Sequence, residues 1–176
     1  MTVHVSSACE RDLPELADVA ARTFPLACPP SATPDNIAAF IAENLSQTRF
    51  GEYVADPERV VLTARVDGPM LGYAMLIRGV VDDADVQSAV PLRPAIELSK
   101  MYVLPAGHGA GVAAALMTAA LDQARSLGIA SMWLGVNQGN ERAQRFYGKH
   151  GLVVSGTKTF RLGDSVEDDY VMVRPV

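Results

Sequence analysis

A glycine-rich turn between a β-strand and a long apolar helix restricts the possible folds of this chain more than any other segment. The run Met101-Tyr-Val-Leu-Pro-Ala-Gly-His-Gly-Ala-Gly-Val-Ala113 begins as a strand and then passes through Gly109 and Gly111. Both glycines permit a positive φ and leave the turn free of side chains. The next residues predict a helix over 109–127, because one apolar face repeats every four residues, at Val112, Leu116, Ala120 and Ala124. We therefore expect a sheet with helices packed against it.

The same turn predicts an anion-binding site. Its backbone N–H groups converge in front of the helix, and the positive end of the helix dipole lies behind them. A phosphate-binding P-loop would need Gly-Lys-Ser/Thr, whereas this chain has Gly111-Val112-Ala113. A dinucleotide fingerprint matches Gly109, Gly111 and Ala114, but the next strand ends at Asn137 without the acidic residue that binds a ribose. A plain strand-to-helix turn that uses glycines is the remaining alternative.

The rest of the chain alternates strands and helices. The predicted order is a strand, two helices, three strands, a helix, a strand, a helix and two strands, which indicates an α+β fold with a mixed sheet flanked by helices. A length of 176 residues fits one domain, residues 1–176. The acidic segment Asp82–Val90 is expected to be a loop. The last strand is expected over Tyr170–Val173.

Composition narrows the possible partners and cofactors. The net charge of −5 argues against nucleic acid. No segment approaches the ~20 apolar residues that would span a membrane, and no signal peptide is evident, so a cytoplasmic location is expected. The two cysteines and three histidines show no metal-ligand spacing, so no metal is predicted.

Two motifs together resemble a known family. His108, Gly111 and Ala113 fit the pattern Gln/Arg-x-x-Gly-x-Gly/Ala, and 140–151 fits Asn-x-x-Ala-x-x-Phe-Tyr-x-x-x-Gly. The pair of motifs, with a strand between them, is similar to the GNAT superfamily of N-acyltransferases. The departure is His108, where the family usually has Gln or Arg. A neutral His can donate one hydrogen bond to a phosphate but supplies no fixed charge.

The resemblance implies a mixed, mostly antiparallel GNAT sheet and acetyl-CoA as a cosubstrate. It also implies that backbone groups of Met101 and Val103 bind the pantetheine amides along a strand that diverges from its neighbour. The remaining cofactor-binding positions implied by the resemblance are His108, Gly109, Ala110, Gly111, Val112, Ala113, Asn137, Asn140, Ala143 and Tyr147.

Acetyl transfer to an amine needs a base and an acid. Glu97 is the candidate base because it precedes Met101 in the same strand, and its place resembles that of the glutamate in histone acetyltransferases of this superfamily. An edge carboxylate paired with a nearby cation is the alternative. Tyr147 is the candidate acid, since it shares a helix face with Asn140; a buried structural tyrosine is the alternative. Arg142 belongs to a basic stripe on the opposite face, which is expected to be a solvated surface, with a phosphate site as the alternative.

A looser likeness concerns the acceptor. Trp133–Val136 and Ser155–Asp164 look similar to bacterial spermidine/spermine acetyltransferases. This implies an N-acetyltransferase that acts on a small primary amine, with a polyamine as one candidate acceptor. A protein N-terminus and an aminoglycoside are alternative acceptors, and a non-catalytic acyl-CoA sensor is an alternative function. A homodimer is left open.

Overall fold

The computed structural model describes residues 2–176, which form a seven-stranded sheet with helices on both faces. The strands are β1 (Val3–Ser7), β2 (Arg59–Val66), β3 (Met70–Arg78), β4 (Ala95–Val103), β5 (Ser131–Asn137), β6 (Val153–Leu162) and β7 (Ser165–Pro175). The helices are α1 (Leu13–Ala27), α2 (Pro34–Asn44), α3 (Gln47–Ala55), α4 (Ala84–Ala89), α5 (Val112–Ser126) and α6 (Glu141–Lys149).

The sheet is mixed and mostly antiparallel, as the sequence predicts. Its strand order is β1-β2-β3-β4-β5-β7-β6. Only the central pair, β4 and β5, is parallel, and α5 forms the crossover between these two strands. Within residues 2–176, no helix is both long enough and apolar enough to cross a membrane.

Two hydrophobic cores sandwich the sheet. On one face, all four residues of the predicted stripe on α5 are buried, and they pack against Leu76, Ile96 and Met132 of the central strands. On the other face, α1, α2 and α3 pack against β3, β6 and β2, respectively, around a core that contains Leu16, Phe50 and Tyr73. The sheet is therefore packed on both faces, and β4, the strand that leads into the glycine-rich turn, lies near its centre.

Three elements differ from the prediction. The sequence predicts two helices before β2, whereas the structure has three, because Gln47–Ala55 forms α3. The expected loop over Asp82–Val90 is wrong, because Ala84–Ala89 forms the short helix α4. Asp83 caps that helix by accepting hydrogen bonds from the N–H groups of Asp85 and Val86. The final strand is longer than expected, because β7 pairs with β5 on one side and β6 on the other.

The central strands separate where the site lies. Ala95, Ile96 and Glu97 of β4 pair with β5, and beyond these residues the two strands no longer pair with each other, although β4 stays paired with β3 and β5 with β7. The unpaired ends leave a gap in the middle of the sheet, which agrees with the divergence implied by the family resemblance. Such a gap exposes backbone N–H and C=O groups that an extended ligand can bond.

A β-bulge in β4 sets the direction of the side chains at this gap. Met75 of β3 pairs with Lys100, and the next residue of β3, Leu76, pairs with Leu98, so Ser99 is the extra residue. Without a bulge, residues three apart would point to opposite faces of the sheet. Because Ser99 is an extra residue between them, the side chains of Glu97 and Lys100 point to the same face of the sheet.

Candidate active site

Two cavities meet at the gap between β4 and β5. The loop cavity, of about 490 Å³, is lined by the glycine-rich turn and the start of α5. The gap cavity, of about 290 Å³, lies between the separated strands, α1, α2 and β6. Six residues line both cavities and therefore mark their junction: Ala27, Met101, Tyr102, Asn140, Ala143 and Tyr147.

The glycine-rich turn presents free N–H groups to the loop cavity. Gly109 and Gly111 have φ of 79° and 80°, and Gly111 is the N-cap of α5. The N–H groups of Gly109, Gly111, Val112 and Ala113 bond to no other residue in 2–176, and all four residues line the cavity. Ala110 lines neither cavity, and its N–H donates to the carbonyl of Gly107 at 3.2 Å.

His108 uses its side chain within the protein. Its Nε2 lies 3.2 Å from the carbonyl oxygen of Val103, and its Nδ1 lies 3.5 Å from Nη2 of Arg142. A carbonyl only accepts and a guanidinium only donates, so this geometry assigns the proton to Nε2. The ring therefore has no free donor for a phosphate in this structure.

Arg142, in the first turn of α6, places a cation at the loop cavity. It was expected on a solvated face of α6, and it is exposed, but it also lines the loop cavity beside His108. A guanidinium at this place supplies a fixed positive charge that the neutral His108 ring does not. No sequence pattern marks this position, because the turn and the start of α6 are far apart in the chain and only the fold brings them together.

The edge of β4 carries the backbone groups expected to bind an extended ligand. The N–H of Leu104 donates to the carbonyl of Leu71 in β3 at 2.7 Å, so the carbonyl of Val103 points away from β3 and into the gap. By the alternation of the strand, the N–H and C=O of Met101 point the same way. His108 occupies the carbonyl of Val103, whereas Met101 lies at the junction of the cavities.

Tyr147 lies at that junction with a free hydroxyl. Its ring packs edge-on against Phe146, with 5.6 Å between ring centroids, and its hydroxyl bonds to none of residues 2–176. Burial raises the pKa of Tyr147 to about 12, so the phenol is protonated at neutral pH. Asn140 caps the same helix by accepting from the N–H of Ala143 at 3.1 Å. Asn137 lines only the gap cavity, and its Oδ1 accepts from the N–H of Gly139.

Glu97 lies in the gap cavity without a partner. Its carboxylate makes no hydrogen bond and no ion pair within 4.0 Å to any described residue. The alternative interpretation, a carboxylate neutralised by a neighbouring cation, is therefore not what the structure shows. Burial raises the pKa of Glu97, while the charges of Lys158, Lys100 and Arg59 partly oppose that rise. A carboxylate with a raised pKa is a stronger proton acceptor than an ordinary one.

Three further charged residues line the gap cavity, and the sequence did not predict them. Lys158 of β6 and Asp169 of β7 are cross-strand neighbours and form an ion pair of 3.5 Å. Lys100 of β4 forms no ion pair in the described part of the chain, and its Nζ lies 6.0 Å from the ring centroid of Phe40. The gap cavity therefore contains both signs of charge.

Comparison with known proteins assigns the family. Residues 15–152, more than two-thirds of the chain, match the acetyltransferase (GNAT) family. The chain belongs to the GNAT family of acetyltransferases. This confirms the resemblance carried by the two motifs, and it makes the protein an N-acetyltransferase by family.

Relatives and solved structures agree with this assignment. The acetyltransferase is 58% identical over 163 residues to an uncharacterized N-acetyltransferase of Mycobacterium bovis, which covers 93% of this chain and 97% of the relative. An uncharacterized N-acetyltransferase of Lactobacillus delbrueckii subsp. lactis is 28% identical over 97% of this chain and 95% of its own. Among solved structures, the PaiA N-acetyltransferase of Thermoplasma acidophilum, in complex with coenzyme A, has a TM-score of 0.78 at 19% identity, with 100% of both chains covered. The last likeness confirms the GNAT fold of this acetyltransferase.

Proposed function

We propose that this acetyltransferase moves the acetyl group of acetyl-CoA to the primary amine of a small molecule, within one domain of residues 1–176. The observation that carries the proposal is the meeting of two cavities at Tyr147, in the gap between β4 and β5. One cavity has the properties of an anion site, and the other contains an unpaired carboxylate. Two substrates that enter from opposite sides would react where the cavities join.

The loop cavity suits the donor. A diphosphate would accept from the free N–H groups of Gly109, Gly111, Val112 and Ala113, with the α5 dipole behind them and Arg142 as the nearby cation. Ala110 and His108 would contribute shape rather than direct hydrogen bonds, because their donors are already used. Pantetheine amides would bond the free edge of β4 at Met101 and Val103, provided that the His108 ring releases the carbonyl of Val103. The solved Thermoplasma relative binds coenzyme A, which supports this donor.

Acetyl-CoA would supply the acetyl group as a thioester. Glu97, directly or through water, would accept the proton of the substrate ammonium and leave a neutral amine that can form the new C–N bond. Tyr147 would donate a proton to the sulfur as the C–S bond breaks, and the nitrogen, which carries one extra proton after the C–N bond forms, would return a proton to the Tyr147 phenolate. The positions of both groups support these roles, since Glu97 lines the gap cavity and Tyr147 lies at its junction with the loop cavity.

The acceptor proposed from the sequence likeness is a polyamine. Glu97 and Asp169 supply carboxylates that would attract a cationic chain, but Asp169 is already paired with Lys158. Lys100 and Lys158 in the same cavity oppose a second positive charge. The gap cavity therefore favours a small amine over a long polycation.

Two variants at one position test the donor site. Gly111→Asp and Gly111→Asn have side chains of nearly equal size and suffer the same left-handed backbone strain, but only Asp adds a negative charge. We expect acetyl-CoA to bind to the Asn variant at least about tenfold more tightly than to the Asp variant, a difference of about 1.4 kcal/mol.

Calorimetry measures the affinities, and thiol release with an amine panel measures turnover. Equal affinity in two folded variants would contradict the placement of the diphosphate at this turn. Binding of acetyl-CoA by the parent without turnover of any amine would instead favour the non-catalytic sensor.

A further inference from the structure

The gap cavity contains two opposite charges that do not neutralise each other. Glu97 and Lys100 point to the same face of the sheet because Ser99 is the bulged residue between them. Both side chains line the cavity and both are partly buried. Neither forms an ion pair within 4.0 Å, with the other or with any of residues 2–176. A partly buried charge without a partner is costly, so each of these groups is suited to a ligand of opposite sign.

The other charged residues at the cavity form no ion pair with Glu97 or Lys100. Lys158 and Asp169 pair with each other at 3.5 Å, which leaves the cavity with one carboxylate and one ammonium still available. Gly135 of β5 makes room for that pair, because a Cβ there would lie 3.1 Å from Cδ of Lys158 and 3.3 Å from Oδ2 of Asp169.

We propose that the acceptor is a zwitterion, an amine with an anionic group close to the nitrogen, of which a free α-amino acid is the simplest example. The ammonium of the acceptor faces Glu97, and its carboxylate binds Lys100. This assignment rests on the proposed function and adds the substrate class to it. It differs from the polyamine expected from sequence likeness, because a polyamine would place a further cation against Lys100.

The location of Lys100 suits binding of the acceptor's carboxylate and not binding of the donor's phosphates. Lys100 lines the gap cavity and not the loop cavity, where the free N–H groups lie. Its Nζ faces the ring of Phe40, which stacks on Phe24 with 4.4 Å between centroids. Burial lowers the pKa of Lys100, and the charge of Glu97 partly opposes that fall. An anionic ligand would favour the charged ammonium in this apolar setting.

The dimensions of the cavity favour a small acceptor. Its volume of about 290 Å³ is at the lower end of the range for ligand pockets. Two hydrogen bonds join the segment around the start of α2 to the hairpin of β6 and β7, from Ser31 to Glu167 at 2.9 Å and from Asn36 in α2 to Asp164 at 3.2 Å. An amino acid fits a cavity of this volume better than an aminoglycoside does.

Matched acceptors that differ by one carboxylate test the proposal. Lysine and cadaverine are one such pair, phenylalanine and 2-phenylethylamine are a second, and phenylalaninamide replaces the charge by a neutral group of similar shape. The measurement is kcat/KM from acetyl-CoA thiol release, with the acetylated product identified by mass spectrometry. We expect the parent enzyme to prefer at least one carboxylate-bearing member over its decarboxylated partner by at least about tenfold, the effect of a weak charge-assisted hydrogen bond.

Variants assign that preference to a residue. Lys100→Met removes the charge at similar length, and we expect the preference ratio to fall at least about tenfold. Lys100→Arg should restore part of the ratio. Lys149→Met is the matched control, because Lys149 is exposed on α6 and lines neither cavity, and its ratio should equal that of the parent.

Several outcomes would overturn the proposal. A parent enzyme that prefers cadaverine or spermidine would favour the polyamine instead. A Lys100→Met variant that loses the same factor in kcat on every acceptor would assign Lys100 to proton transfer or folding. Acetyl-CoA binding without acetylation of any amino acid would refute the zwitterionic acceptor and leave the donor site intact, whereas failure to bind acetyl-CoA would refute the proposed function itself.

Discussion

Replacing Tyr147 by phenylalanine isolates the contribution of one hydroxyl group. The hydroxyl bonds to no other residue in 2–176, so its removal breaks no internal hydrogen bond, and the ring keeps its contact with Phe146. We therefore expect the melting temperature to change little, as for substitutions that leave packing intact. Binding of acetyl-CoA should also be nearly unchanged, because the hydroxyl contributes as negative charge develops on sulfur.

The raised pKa of Tyr147 sets the magnitude. General acids typically contribute ~10²–10⁴-fold. With a pKa of about 12, the phenol lies ~3.5 pK units above an ordinary thiol near ~8.5, so complete proton transfer is uphill by ~5 kcal/mol. A mismatch of this size favours the lower end of the range, so we expect kcat to fall by about 100-fold in Tyr147→Phe.

The assay is thiol release at saturating acetyl-CoA, with calorimetry as the control for donor binding. The same pKa predicts that Tyr147 causes no alkaline limb in the pH–rate profile below about pH 11, because the phenol stays protonated there. A variant that turns over within about threefold of the parent would refute the reasoning, since that loss is far below an acid's typical contribution. Water or the amine's own proton would then protonate the sulfur.

Three further perturbations give independent tests. Glu97→Gln should lower kcat by ~10²–10⁴-fold and abolish the acid limb of the pH profile, because burial raises the Glu97 pKa and the base acts only above it. Lys158→Met should move that limb to higher pH, since the Lys158 charge lowers the Glu97 pKa; an unchanged limb in kcat/KM would contradict this coupling. Arg65→Met should destabilise the fold by ~1 kcal/mol at neutral pH, since its ion pairs are partly exposed. Burial raises the Asp12 pKa, but hydrogen bonds from Cys9 and Arg65 outweigh it and lower that pKa overall. The difference in thermal stability between the parent and Arg65→Met should therefore shrink as the pH falls below 3.8 and Asp12 is protonated. A constant difference down to the acid limit would show that Asp12 is not the partner that matters.

The fold could be predicted where the apolar residues that repeat in the sequence are also the residues buried in the structure. The stripe on α5 is entirely buried, and the turn before it has the positive φ that its glycines permit. Helix α4 was missed because the acidic residues of 82–85 were interpreted as a loop, although an Asp at position 83 followed by apolar residues at 86, 89 and 90 is a cap followed by a helical face. Helix α3 has only Phe50 buried, so its amphipathic signal is too sparse to stand out.

Only those parts of the candidate site that lie within a single short segment of the chain could be predicted from the sequence. The turn, Met101 and Val103 are close in sequence, and so are Asn140 and Tyr147 on a single helix. Ala110 shows the limit of that reasoning, since the turn contains it but its N–H bonds within the protein. Lys158 and Asp169 come to the gap through the pairing of β6 with β7, a long-range register that periodicity does not reveal.

The bulge at Ser99 links these observations. In a regular strand, Glu97 and Lys100 would lie on opposite faces of the sheet, and the cation would be directed toward the α5 core. The extra residue keeps Ile96, Leu98 and Met101 on the core face while it turns Lys100 to the same side as Glu97. The sheet thus opens at the position where the bulge brings the candidate base and a cation to one face, so one backbone irregularity in β4 arranges both of the charges on which the proposed acceptor depends.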